Sequence, residues 1–112
     1  MNEVLIVDPN YIGGMLNAKV ITFSLSKTRA LSFTNITEAC DFSRKYDISP
    51  GLILLDEKLT ADLEQVRKWL EDSENICPIH VISNKIIEKE KDGCLVVASE
   101  LLVHHIGNWF PN

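Results

Sequence analysis

The chain has no Lys/Arg run, no apolar stretch long enough to cross a bilayer, no CxxC pair and no glycine-rich phosphate loop. Each absence removes a class of function. A net charge of -5 without a basic cluster argues against nucleic acid or anionic lipid as partner, because those surfaces are met by a basic footprint. The apolar runs are too short for a membrane span, and Glu3 ahead of the first of them is unlike a signal peptide, so the expected location is cytoplasmic. Three cysteines, Cys40, Cys77 and Cys94, are an odd number at spacings that favour neither a disulfide framework nor a zinc site. They are expected to be buried, reduced thiols. Gly13-Gly14 lacks the GxGxxG spacing that nucleotide or flavin binding would need. His80 has no acid at triad spacing to orient it and is expected as a satisfied core histidine. His104 and His105 are adjacent, where a metal pair on a helix wants i, i+4. No catalytic constellation emerges, and the chain is not expected to be an enzyme. With only five glycines and four prolines, and no repeat or linker, residues 1–112 are expected to form one domain.

The sequence does contain short apolar runs that end on polar groups. Leu52-Ile53-Leu54-Leu55 follows the Pro50-Gly51 breaker and closes on Asp56. Such a run is too short for a buried helix and suits a strand covered on both faces of a parallel sheet. Val4-Leu5-Ile6-Val7 closes in the same way on Asp8. Strands are also expected over residues 29–34, over 79–82 ending on Ser83, and over 94–97. Between them fall helical patterns. Residues 9–25 offer Ile12, Leu16, Val20 and Phe23 as an apolar face, and a helix capped by Thr37 offers Ala39, Phe42 and Tyr46. The helix after Asp56, capped by Thr60, carries the stripe Leu59, Leu63, Val66 and Leu70, with Trp69 at the core or its rim. The last helix, capped by Ser99, carries Leu102, Ile106 and Trp109. Alternating strands and helices imply a doubly wound α/β sheet with right-handed crossovers, and the flavodoxin-like order 2-1-3-4-5. That order sets Asp8 and Asp56 side by side at the carboxyl edge, where open α/β sheets place their chemistry.

Val4 to Asp8, Leu52 to Asp56 and Pro78 to Ser83 together resemble the response-regulator receiver domain, the CheY-like fold, over nearly the whole chain. The resemblance implies that Asp56 matches the phosphoacceptor, Asp8 one of two magnesium-holding acids, and Ser83 the hydroxyl that contacts the phosphoryl group. This sequence also departs from that pattern. The second acid is Pro9, the lysine of the fifth strand falls on Val97, the proline after it on Ala98, and the aromatic switch on Cys94. Only ten residues separate Ser83 from Cys94, so the fourth helix is expected to be shortened.

Phosphoryl transfer to a carboxylate needs cations against the charge that builds on the oxygens. Magnesium short of one acid, and no lysine, leave little to supply them. The expectation is therefore a degenerate receiver-like module that binds protein partners in a signalling pathway and uses no cofactor. The alternative is a working receiver phosphorylated on Asp56 by a histidine kinase, with Mg²⁺. Lys58, two residues past Asp56, is a candidate metal mimic if its ammonium turns toward the two acids. Leu102, Ile106, Trp109 and Phe110 are the candidate interaction face, including a homodimer through the last helix.

Overall fold

The computed structural model describes residues 2–84, 89–91 and 93–109. Strand β1 (Asn2–Val7) leads into helix α1 (Tyr11–Ser24), followed by β2 (Thr28–Phe33), α2 (Ile36–Lys45) and β3 (Leu52–Asp56). A 3₁₀ turn over Glu57–Asp62 runs into α3 (Leu63–Asp72). Then come β4 (Ile79–Ser83), β5 (Lys89–Lys91), β6 (Cys94–Ala98), a 3₁₀ turn over Ser99–Leu101, and α4 (Leu102–Trp109). The sheet order is β2-β1-β3-β4-β6-β5. Its five parallel strands take the expected 2-1-3-4-5 arrangement, with β6 as the fifth.

The two apolar runs behave as strands buried on both faces. Every residue of β3 and Val4 to Val7 of β1 are buried, and alternate side chains enter opposite layers. Leu5, Val7, Ile53 and Leu55 pack with α2 and α3, whereas Val4, Ile6, Leu52 and Leu54 pack with α1 and α4. This two-sided burial explains why the runs show no polar alternation. No helix among the described residues is long and apolar enough to cross a membrane.

Helix α1 departs from its expected orientation. Gly14, Ala18 and Ile21 face the sheet, while Ile12, Leu16, Val20 and Phe23 are 63%, 55%, 39% and 86% exposed. Apolar residues lie almost all round this helix, so periodicity does not select a face. Close approach selects it instead. A Cβ on Gly14 would lie 3.3 Å from the Asp8 Cβ and 3.5 Å from that of Ser32, and only the small-residue side reaches that distance.

Other boundaries shift for local reasons. Asn35, not Thr37, caps α2, its Oδ1 accepting the Glu38 N–H at 2.9 Å, an interaction that asparagine makes as readily as threonine. Ile36, Ala39, Cys40 and Ser43 are the buried residues of that helix, and Tyr46 stays largely in water, its ring tilted against Phe42. The stripe of α3 is as expected in Leu63, Val66 and Leu70, with Trp69 buried beside them. Thr60 does not cap it; its hydroxyl donates to the Glu57 carbonyl within the 3₁₀ turn.

Of the segment between Ser83 and Cys94, where a short helix was expected, residues 85–88 and 92 lie outside the described residues. Lys89–Lys91 pair antiparallel with β6, as an edge strand. Beside it, on the α3 side, a hollow of about 360 Å³ is lined in part by Arg67, Leu70, Ile79 and Cys94.

Candidate functional site

Parallel register brings the ends of β1, β3 and β4 to one edge, with Val7 paired to Leu55 and Asp56 to Ile82. Asp8 and Asp56 therefore face a common hollow of about 240 Å³, which Asn10, Asn17, Lys58, Asn84 and Ser99 also line. The two acids are thus neighbours at the carboxyl edge, as their places after two apolar runs predict.

Each carboxylate also ties down its own loop. Asp8 accepts the Asn10 N–H at 2.8 Å, and Asn10 in turn caps α1 through the Gly13 N–H at 3.1 Å. Asp56 Oδ2 accepts the Lys58 N–H at 2.9 Å and so caps the 3₁₀ turn. Only 8% exposed, the Asp56 carboxyl is pushed above the ordinary aspartate range by burial. The Lys58 N–H offsets part of that, and the charges of Asp8 and Glu57 add to it. Gly13 takes part as well: a Cβ there would stand 3.3 Å from Asp8 Oδ2. The Gly13-Gly14 pair, a cost to helix propensity in isolation, is what allows α1 to start against this carboxylate.

Ser83, the last residue of β4, is buried and donates its hydroxyl to Glu57 Oε2 at 2.7 Å. Glu57 had no role in the sequence reading. The only signal for it was its place directly after Asp56, and only the strand register shows that Ser83 lies within its reach. At the end of β6, Val97 is fully buried and Ala98 pairs with Ser83. Whichever of the two is aligned with a lysine position, the side chain there is neutral.

Lys58 is exposed and lines the rim of the hollow. Its backbone N–H donates to Asp56, and the charge of its ammonium also acts to lower the Asp56 carboxyl. Two residues of the interaction face expected on the last helix are buried instead. Leu102 and Ile106 are 1% and 0% exposed and belong to the core with Ile21 and Leu54. An α4 of eight residues spends its apolar side on the sheet. The side chain of Trp109, and Phe110 altogether, lie outside the described residues.

No protein-family model matches the chain, and no curated protein matches it either. Solved structures do. A response regulator from Thermotoga maritima superposes with a TM-score of 0.68 at 19% identity, over 100% of this chain and 99% of that one. The fold is that of a response-regulator receiver. A LuxR family DNA-binding response regulator from Silicibacter pomeroyi gives 0.64 at 20% identity, over 97% of this chain and 90% of the other. Asp8 directly follows β1, and Asp56 and Ser83 are the last residues of β3 and β4, so all three stand at the carboxyl edge of the parallel sheet.

The receiver fold implies magnesium, and the donor set fits it poorly. Two carboxylates face the hollow, and one oxygen of each already accepts a backbone N–H. No group of three or more acid, histidine or cysteine side chains suited to a metal occurs among the described residues. Magnesium demands near-octahedral oxygen ligation and gives up water reluctantly, so an ion here would keep most of its hydration shell and bind weakly.

Proposed function

We propose that this chain is a receiver-fold signalling module whose output is protein binding, and that it is not switched by magnesium-dependent phosphorylation of Asp56. The hydrogen bond from Ser83 to Glu57 carries this reading. In a phosphorylated site that hydroxyl would meet a phosphoryl oxygen; here a carboxylate of the chain already holds it. A phosphoryl group on Asp56 would add close to two negative charges beside Asp8 and Glu57, with Lys58 the one basic side chain among the described residues lining the hollow. Electrostatic stabilisation of the transferring group is the main thing a protein supplies in this chemistry, and the neutral Val97 and Ala98 supply none.

The partners in this reading are proteins of a signalling pathway, met in the cytoplasm with the cysteines reduced. No cofactor is required and no reaction is catalysed. Burial pushes the Cys77 thiol up to about 12, which keeps it protonated and a poor nucleophile.

Titration with beryllofluoride and Mg²⁺, followed by ¹H–¹⁵N spectra, tests the proposal. The expected result is unmoved amide signals for Asp56, Glu57, Ser83 and Ala98 at millimolar magnesium. Saturable shifts at those amides would instead establish a working receiver phosphorylated on Asp56.

A further inference from the structure

We infer that the outward face of α1 is the contact surface of a homodimer in which two α1 helices pack antiparallel about a two-fold axis. The inference is independent of whether Asp56 is phosphorylated. Among the described residues, seven large hydrophobic side chains are exposed, and five of them, Tyr11, Ile12, Leu16, Val20 and Phe23, lie on this one helix. Ile12, Leu16, Val20 and Phe23 recur at helical spacing, so they form a single stripe on the side away from Gly14, Ala18 and Ile21. Together they leave roughly 400 Å² of apolar surface in water, within the range of the largest patch a monomer usually exposes, and such a patch often marks an interface. With its polar rim the stripe supplies much of the ~800 Å² per partner that a stable pair buries.

Charge favours a second copy as the occupant. The chain has a net charge of -5, so two copies repel across most approaches. Neither α1 nor α4, which cover the same face of the sheet, contains a carboxylate. Lys19 is the one charged residue of α1. The helices of that layer therefore bring no carboxylate of their own to a like copy, and the acids nearest the stripe are Asp8 and Asp56 in the hollow that Leu16 borders. A two-fold contact must also be self-complementary. Reversing one helix sets Ile12 against Phe23 and Leu16 near Val20 of its mate, and it opposes the two helix dipoles. Lys19 lies at the flank near the axis, where its stem can cover the apolar seam while the ammonium stays in water. A lipid surface is a poorer occupant, since interfacial helices surround their apolar face with several cations.

Sedimentation equilibrium of the whole chain is the test, with Leu16→Lys and Phe23→Lys as disruptive variants and Lys19→Gln as a relieving one. All three positions are exposed, and superimposable circular dichroism spectra check that the variants fold. The expected result is a wild-type dimer with a dissociation constant of about 10 μM. Either lysine variant should weaken it at least tenfold, and Lys19→Gln should tighten it about twofold to fivefold. A wild-type chain that stays monomeric at millimolar concentration overturns the inference. So does a dimer indifferent to Leu16→Lys and Phe23→Lys, or a monomer that floats with phosphatidylcholine vesicles through the same side chains.

Discussion

Ser83 and Glu57, twenty-six positions apart, are joined by a 2.7 Å hydrogen bond from the serine hydroxyl to the glutamate carboxylate, one residue beyond Asp56. The bond links the end of β4 to the start of the 3₁₀ turn. It thereby couples the two loops that border the acidic hollow.

Removing one partner should strand the other. Ser83→Ala and Glu57→Ala are each expected to lower stability by about 1–2 kcal/mol, the usual penalty for a part-buried polar group left without its mate. The double variant should lose less than the sum, with a coupling of about 1 kcal/mol. Urea denaturation of the four proteins measures the cycle, and strict additivity would show that the bond is not formed in solution.

Asp56 gives a prediction with a definite sign. Its folded carboxyl is held above the usual range by burial and by Asp8 and Glu57, so the folded state binds its proton more tightly than the unfolded chain does. That contribution to stability is complete below about pH 3.9, the ordinary aspartate value, and is lost as pH rises through the higher folded value. Asp56→Asn keeps an oxygen for the Lys58 N–H and removes the charge. It should raise stability at pH 7 by on the order of 1 kcal/mol, with the gain vanishing near pH 3. Thermal melts across that range check it, and a destabilised Asp56→Asn protein at pH 7 would contradict the electrostatic account.

His80 works in the other direction of pH. Burial holds its imidazole below the usual histidine range, the Ile79 backbone offsets part of that, and the charge of His105 adds a lesser lowering. The unfolded chain therefore takes up the proton first on acidification. Stability should fall as pH drops through about 6.5, and His80→Gln should flatten that limb of the curve. Equal slopes for the two proteins between pH 7.5 and 5.5 would remove His80 as its source.

The two apolar stripes can be told apart by truncation. Ile106→Ala, in the core under α4, should cost about 2–5 kcal/mol through the cavity it leaves. Phe23→Ala, at 86% exposure, should stay within about 0.5 kcal/mol of wild type when measured on the monomer at low concentration. Chemical denaturation of both variants decides it, and a large loss for Phe23→Ala would mean that the outer face of α1 is covered within the monomer.

At the edge, Asp8 and Asp56 were legible because each closes a continuous apolar run, and Ser83 because it closes the short segment 79–82 behind Pro78; such segments in an alternating α/β pattern end at the carboxyl edge of a parallel sheet. Glu57 was not legible, because its partner lies on another strand and only register brings the two within a hydrogen bond. The caps Asn10 and Asn35 were also missed; for the second helix Thr37 was equally plausible from composition, and the choice rests on backbone geometry at the first turn.

By itself the sequence determined the chain order and type of the parallel strands, the two-sided core and the acidic edge, because burial on both faces leaves continuous apolar runs that local residues alone can express. The antiparallel strand at Lys89–Lys91 and the side of α1 that meets the sheet were decided only in three dimensions. Those outcomes depend on how closely backbones approach and on which surfaces compete for the same sheet. A helix apolar all round, or a short charged segment, carries no periodic signal that could express such a competition.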